Sequence, residues 1–321
     1  MSISIAIQAF LSQFQKYKII IGYSGGVDSH VLLHALKNTG YPSVTAVHVN
    51  HQLNPKADAW ALHCQSVCDA LSLPIDIKKI VVKREPGDSL EEKAREARYA
   101  LLRKYIDKNC VLVTAHHLED QAETFLFQAL RGAGTTGLSA MPYQRKLGEG
   151  WLVRPFLSIS RDDIQAYAKT YRLQWIEDDS NINLIFSRNF LRNNIFPLLK
   201  QRFPKCAQNL ARSARLIAEQ EKIITEEVRK DFPLVSQQVN DQVYLGIAMD
   251  RLKHFTEPKQ RLILREWFRT LQLRMPNEKH LKQILKDVVY AAPDAHPKFQ
   301  WSGVTLYRER NFLYIANHDN P

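Results

Sequence analysis

A short apolar run, Tyr17 to Tyr23, ends abruptly at Ser24-Gly25-Gly26 and reopens as the helical pattern Val27-Asp28-Ser29-His30-Val31-Leu32-Leu33. The run is β-branched and bounded by glycine, which is how a strand buried on both faces of a parallel sheet reads. Two glycines allow positive φ and let a ligand approach without meeting a Cβ, so successive N–H groups can face one concavity at a helix N-terminus. That geometry holds phosphate. A Walker A loop would carry Lys followed by Ser or Thr, and a dinucleotide loop would read Gly-x-Gly-x-x-Gly; neither is present. Instead the hydroxyls of Ser24 and Ser29 flank the glycines, and the carboxylate of Asp28 sits inside the anion site. An acid beside phosphates calls for a cation between them, which makes Asp28 the expected ligand of Mg²⁺.

The chain is long enough for two domains, at 321 residues, and its net charge of +11 points to a polyanionic partner. No apolar run approaches the ~18 residues of a membrane span, and the N-terminus lacks a basic segment ahead of an apolar core. We therefore expect a cytoplasmic protein with no membrane partner. The four cysteines, Cys64, Cys68, Cys110 and Cys206, form no Cys-x-x-Cys pair, so neither a disulfide framework nor a zinc knuckle is expected. Cys64 and Cys68, four apart on an expected helix, read as buried small hydrophobes.

Taken in order, Ile3 to Phe14 is an amphipathic helix, and Ser43 to Asn50 is a second strand followed by a helix from Lys56 to Ser72. Ile75 to Val82 is a third strand. Ser89 and Glu92 have capping-box spacing ahead of a long helix whose Arg95 and Arg98 share one face. Cys110 to Ala115 is a fourth strand, Trp151 to Phe156 a candidate fifth, and Ser158 to Arg172 a helix. Strands alternating with helices at this rhythm predict an α/β fold: a parallel sheet with helices on both faces and a ligand site at the strand C-terminal ends. Those ends carry His48-Val49-Asn50-His51 and His116-His117. Just beyond the second pair, Asp120 and Glu123 lie three apart at a helix start, so both carboxylates face the same crevice and could hold a cation or an amine. The glycine-rich Arg131 to Pro142 then reads as a loop able to approach a ligand.

From Asn181 to Ala218 there are seven Lys or Arg and no Asp or Glu. On the helix closing this run, Leu210, Ala214, Ile217 and Ile224 line one face while Arg212 and Arg215 lie on another, which reads as a phosphate-backbone footprint. Composition shifts near Asp231-Phe232-Pro233. The expected organisation is a nucleotide-binding domain over 1–204, a basic linker helix over 205–231 and a smaller α+β domain over 232–321. From Arg251 to Lys282, nine basic residues against three acidic ones continue the positive surface.

The hexapeptide Ser24-Gly25-Gly26-Val27-Asp28-Ser29 resembles the SGGxDS loop of the N-type ATP pyrophosphatases, or PP-loop family. Members cleave ATP between the α and β phosphates, and the loop, here Ser24 through Ser29 with Val27, would cradle the departing pyrophosphate. The longer motifs HVNHQL, EEKAREARYALL, HHLEDQAETFLFQALRGAGTTGLSAM, RPFL, WIEDDSN and RNFLRNNIFPLL follow in the order and rough spacing of the bacterial tRNA(Ile)-lysidine synthetases. The match is close over residues 17 to 230, and the 232–321 module looks like that family's second domain. Many members carry a further small C-terminal domain that has no counterpart in these residues.

That resemblance implies an ATP-dependent ligase joining free L-lysine to C2 of the wobble cytidine of the CAU-anticodon isoleucine tRNA, through an adenylated cytidine. It implies ATP and Mg²⁺ as cofactors and leaves a homodimer possible. By resemblance Asp120 and Glu123 hold the lysine, while Arg95 or Arg98, and Arg188 or Arg192, meet phosphates or the activated base. Two rivals are a tRNA thiolase on the same scaffold and a non-catalytic tRNA-binding module. The first needs a reactive cysteine pair near the site. The second would be expected to have lost Asp28 or a loop serine.

Overall fold

The computed structural model describes residues 2–82, 89–177, 187–239, 242–292 and 294–316, and the chain divides into two compact units, 1–218 and 219–321. Asp178 to Asn181, the end of the WIEDDSN motif, lies outside the described residues.

The first unit opens with α1 (Ile3–Gln13) and then alternates: β1 (Lys18–Gly22), α2 (Val27–Lys37), β2 (Val44–Asn50), α3 (Ala57–Ala70), β3 (Ile75–Lys79), α4 (Leu90–Arg103) and β4 (Cys110–Val113). After α5 (Leu118–Leu130) and the short α6 (Thr135–Leu138) come β5 (Gln144–Leu147), β6 (Gly150–Val153) and α7 (Arg161–Thr170). Strand order is β3-β2-β1-β4-β6-β5, and every pairing is parallel except the β5–β6 hairpin at one edge. The sheet is therefore the expected parallel one, with an antiparallel edge strand that the sequence reading did not foresee. The order reverses between β1 and β4, which opens a crevice at their C-terminal ends.

The apolar run of β1 is continuous because both faces of the sheet are covered. Ile19 and Ile21 pack with Ile7, Phe10, Val31, Leu32, Leu36 and Ile164 from α1, α2 and α7. Ile20, between them, faces the opposite core with Val47, Leu112 and Leu152 under Leu102 of α4. Each fully buried aliphatic side chain contributes roughly 1.5–3 kcal/mol, so the sheet's register is fixed from both sides. Ser89 caps α4 by accepting from the Glu92 amide at 3.4 Å, as its spacing predicts, and Ser160 caps α7 by accepting from Asp163 at 3.1 Å.

Beyond α7 lie α8 (Ser187–Phe190), a π-helical segment Leu191–Ile195, α9 (Phe196–Arg202) and the long α10 (Cys206–Lys230). Leu191, Phe196, Cys206 and Ala207 pack on Ala122 of α5, which brings the π-helical segment against that helix. The division at 218/219 falls within α10, upstream of the 231/232 boundary expected from composition.

The second unit is an antiparallel sheet ordered β7 (Leu234–Val239), β8 (Gln242–Ala248), β11 (Phe312–Ala316), β10 (Val304–Glu309) and β9 (Lys298–Trp301). It is completed by α11 (Met249–Lys253), α12 (Glu257–Thr270), α13 (Glu278–Gln283) and a second π-helical segment, Ile284–Val289. Trp267, Phe268, Ile263, Leu306 and Leu313 are fully buried in its core. Lys298 to Glu309 turns back at Ser302-Gly303, both at positive φ, the backbone a two-residue hairpin loop requires.

Candidate active site

The glycine turn after β1 folds as the sequence predicts. Gly25 sits at φ +85° and Gly26 is the N-cap of α2, with no side chain accepting from the first helical amides, which leaves those donors for an anion. Ser29 closes the loop from inside. Its hydroxyl donates to the Gly26 carbonyl at 3.0 Å, accepts from the Ser24 amide at 3.2 Å and lies 3.0 Å from the Ser24 hydroxyl. Gly25 has no room for a side chain, since an added Cβ would lie 2.5 Å from Ile176 Cδ1 and 2.9 Å from Cys64 Sγ. Strain from the left-handed φ and overlap together amount to about 2–5 kcal/mol. Gly25→Ala is therefore expected to lower the melting temperature by several degrees and to weaken ATP binding more than tenfold. Unchanged thermal unfolding and ATP affinity would show that the loop tolerates a Cβ.

Asp28, on the first turn of α2, points its Oδ1 into the buried mouth of the loop, where it has no hydrogen-bond partner. Burial pushes its carboxyl above the usual range, Asp120 adds to the rise, and His117, Arg161 and Arg192 oppose it. A carboxylate oxygen held dry without a donor, beside a phosphate cradle, fits a cation. Among the described residues no group of three or more His, Cys, Asp or Glu forms a metal cage. Mg²⁺ fits such a site, because it takes one or two carboxylates and completes its shell with phosphate oxygens and water.

Two acids from the start of α5 and Asp28 from α2 meet at one histidine. His117, 3% exposed, directs Nδ1 to Glu119 at 3.1 Å, while its Nε2 lies 3.6 Å from Asp120 and 3.8 Å from Asp28. Its amide donates to Asp120 Oδ2 at 3.0 Å. Burial works against its charge, but Asp120, Glu119 and Asp28 raise its pKa above the ordinary value. Glu119 also accepts from the Arg161 amide at 2.9 Å. The sequence reading passed over Glu119, and its only signal there was its place between His117 and Asp120.

Arg192, from the π-helical segment, completes the cluster. Its Nε donates to Glu123 Oε1 at 2.7 Å, and its Nη2 donates to Glu123 Oε2 at 2.7 Å and to Asp120 Oδ1 at 2.8 Å. A bidentate fork of this kind keeps Arg192 charged. The two carboxylates diverge in chemistry. Glu123 is lifted by burial although Arg192 pulls against it; Asp120 is buried too, but His117 and Arg192 hold it below the usual range.

The structure thus joins Asp28, Asp120, Glu123 and Arg192 of the expected set around His117. Arg188 lies 4.0 Å from Glu91 on α4, and the charges of Glu91, Asp120 and Glu123 all act on its guanidinium. Arg95 and Arg98 lie over the Tyr99 ring, at 5.7 and 5.8 Å from its centroid. The glycine-rich loop after α5 is tied back to it, since Gln121 donates to the Met141 carbonyl at 2.7 Å and accepts from its amide at 2.8 Å. Cys64 and Cys68 are fully buried, and burial pushes both thiols up to about 12, so neither offers a thiolate for sulfur transfer. Arg212 and Arg215 are exposed.

Comparison with known proteins agrees with this fold. The PP-loop domain family matches residues 1–199, and the TilS substrate binding domain matches 248–314. A tRNA(Ile)-lysidine synthase from Vibrio cholerae is 38% identical over 96% of this chain and 70% of its own length. The chain belongs to the tRNA(Ile)-lysidine synthase family. The family's Coxiella burnetii member is 42% identical, over 92% of this chain and 66% of its own length. The chain therefore spans about two thirds of the length of these curated relatives. A U34-tRNA thiolase from Methanococcus maripaludis, solved with its [4Fe-4S] cluster, shares the fold with a TM-score of 0.58, at 17% identity over 67% of this chain and 77% of that one. Among the described residues no helix is long and apolar enough to cross a membrane.

Proposed function

We propose that this chain ligates free L-lysine to C2 of the wobble cytidine in isoleucine tRNA with a CAU anticodon, converting ATP to AMP and pyrophosphate. The observation that carries this reading is the buried cluster in which the phosphate loop's Asp28 and the paired acids Asp120 and Glu123 meet around His117.

The chemistry has two steps. The C2 carbonyl of cytosine is urea-like and resists attack, so its oxygen bonds the α-phosphorus of ATP and pyrophosphate departs. Backbone amides at Gly25, Gly26 and the start of α2, with the Ser24 and Ser29 hydroxyls, receive the departing phosphates. Asp28 would hold Mg²⁺, which when bound would supply positive charge to the leaving group. In the second step the lysine ε-amine attacks C2 and AMP leaves. That amine, with an unperturbed pKa of about 10.4, must shed a proton first. Two carboxylates with divergent environments divide the work. Asp120 stays ionised and anchors an ammonium group, while Glu123, raised by burial, is the better proton acceptor. The wobble base is unpaired, so no duplex has to be opened.

Incubating the protein with ATP, lysine and an isoleucine tRNA transcript, then digesting to nucleosides, is expected to give lysidine by mass, with AMP and pyrophosphate in equal amount. Cytidine recovered intact at the wobble position, in the presence of ATP turnover, would overturn the assignment.

A further inference from the structure

On the face of the sheet covered by α4, the strands end in a set of cations that the site above does not use. Leu112, Leu147 and Leu152 belong to the core on that face, and Arg145 pairs with Leu152 across the β5–β6 hairpin. Side chains two residues apart share a face, so Arg145, two before Leu147, and Arg154, two after Leu152, extend the apolar rows into charge. Arg145 lies 5.6 Å from the Tyr99 ring centroid, beside the Arg95 and Arg98 guanidinium groups over the same ring. Arg154 is 2% exposed; its Nη1 donates to the Pro142 carbonyl at 2.7 Å, but its buried Nε has no acceptor. His51 Nδ1 is a second buried atom without a partner.

Among the described residues no carboxylate lies within ion-pair distance of Arg95, Arg98, Arg145 or Arg154; Glu91, whose charge acts on Arg98, lies 4.0 Å from Arg188. The neighbouring histidines do not add to the charge: burial, with Arg98 contributing, pushes His116 down to about 3 and His51 to about 4. Gathering like charges around one ring is unfavourable in the free protein, and each cation–π contact returns only about 0.5–1 kcal/mol. An anion placed among them reverses the balance.

We infer that the Arg98, Arg145 and Arg154 cluster around Tyr99 is a second phosphate site, built for a backbone phosphodiester of the unpaired RNA loop that presents the target base. The inference rests on the function proposed above and extends it to the β5–β6 hairpin. ATP is the other source of phosphate, but its cradle lies at the N-terminus of α2, whose Val31 and Leu32 belong to the core on the opposite face of the sheet. A base seated at the strand ends would have its transferring phosphoryl group on the α2 side and its own backbone phosphate on the α4 side.

Arg145 is exposed, so its replacement leaves the fold alone. Binding of the isoleucine tRNA transcript is measured across a salt series, and the KM for ATP is measured in parallel. Arg145→Gln is expected to weaken tRNA binding about tenfold and to lower the log-log salt slope by roughly 0.7–0.9, the loss of one phosphate contact, with the KM for ATP unchanged. Arg145→Lys should keep the slope, and Arg154→Lys should lose affinity because a point charge replaces the planar fork. A raised KM for ATP with tRNA binding intact would assign the cluster to the nucleotide and overturn the inference. Wild-type lysidine formation with unchanged affinity and slope in Arg145→Gln would overturn it while leaving the function standing. A wild-type chain that binds no tRNA would overturn both.

Discussion

Asp28→Asn is expected to lower pyrophosphate release about 10³-fold, equivalent to roughly 4 kcal/mol of transition-state stabilisation, while leaving the fold at least as stable as before. Asp28 is costly to the free protein. Its Oδ1 is buried without a donor, and burial raises its pKa, so the ionised form is disfavoured in the substrate-free protein. A buried acceptor left unsatisfied costs about 1–3 kcal/mol. Asparagine has the same shape and no charge to desolvate, and its amide can donate toward the neighbouring carboxylates. Thermal unfolding of the variant should therefore occur at the same temperature or slightly higher. Activity responds in the opposite sense, because an amide cannot replace a carboxylate as partner for a cation neutralising pyrophosphate. Measuring pyrophosphate by a coupled assay, beside a melting curve, separates the two effects. Release of ADP and orthophosphate by the wild-type protein would remove the premise.

How much of this was legible in the sequence follows from how local each signal is. The strand, turn and helix around Asp28 lie within consecutive residues, and Ile19, Ile20 and Ile21 are apolar without alternation because both sheet faces are covered. The β5–β6 hairpin gave no such signal. Gln144, Arg145 and Lys146 are exposed and only Leu147 is buried, which is how an edge strand protects itself from further pairing and also how a loop reads. Asp120 and Glu123 could be placed on one helical face from their spacing alone. Their partner could not, since Arg192 lies 72 and 69 residues away and reaches them from a π-helical segment that no hydrophobic period announces. For the same reason Arg188 and Arg192 were interchangeable in the sequence, whereas in the fold Arg192 pairs directly with both carboxylates and Arg188, within reach of their charge, lies against Glu91 of α4.

Asp120→Asn and Glu123→Gln are expected to form adenylated tRNA and release pyrophosphate near the wild-type rate, yet to convert that intermediate to lysidine 10²- to 10⁴-fold more slowly at ordinary lysine concentrations. Adenylation needs the phosphate loop and Asp28, whereas the amine needs a charge to anchor it and a base to take its proton. In the substrate-free protein both carboxylates are paired with Arg192, so an incoming ammonium must share or displace that guanidinium. The two variants should fail differently. Asp120→Asn removes the carboxylate held ionised and should appear mainly in the lysine KM, with partial recovery at high lysine. Glu123→Gln removes the proton acceptor and should appear mainly in kcat, with partial recovery as pH rises and free amine becomes more abundant. Each leaves Arg192 one carboxylate, so neither strands it in a buried site. Single-turnover assays with labelled ATP, following adenylated tRNA and lysidine separately across lysine concentration and pH, distinguish these patterns. Unchanged lysine dependence in both variants would mean that Asp120 and Glu123 serve only to hold Arg192, and that the amine binds elsewhere.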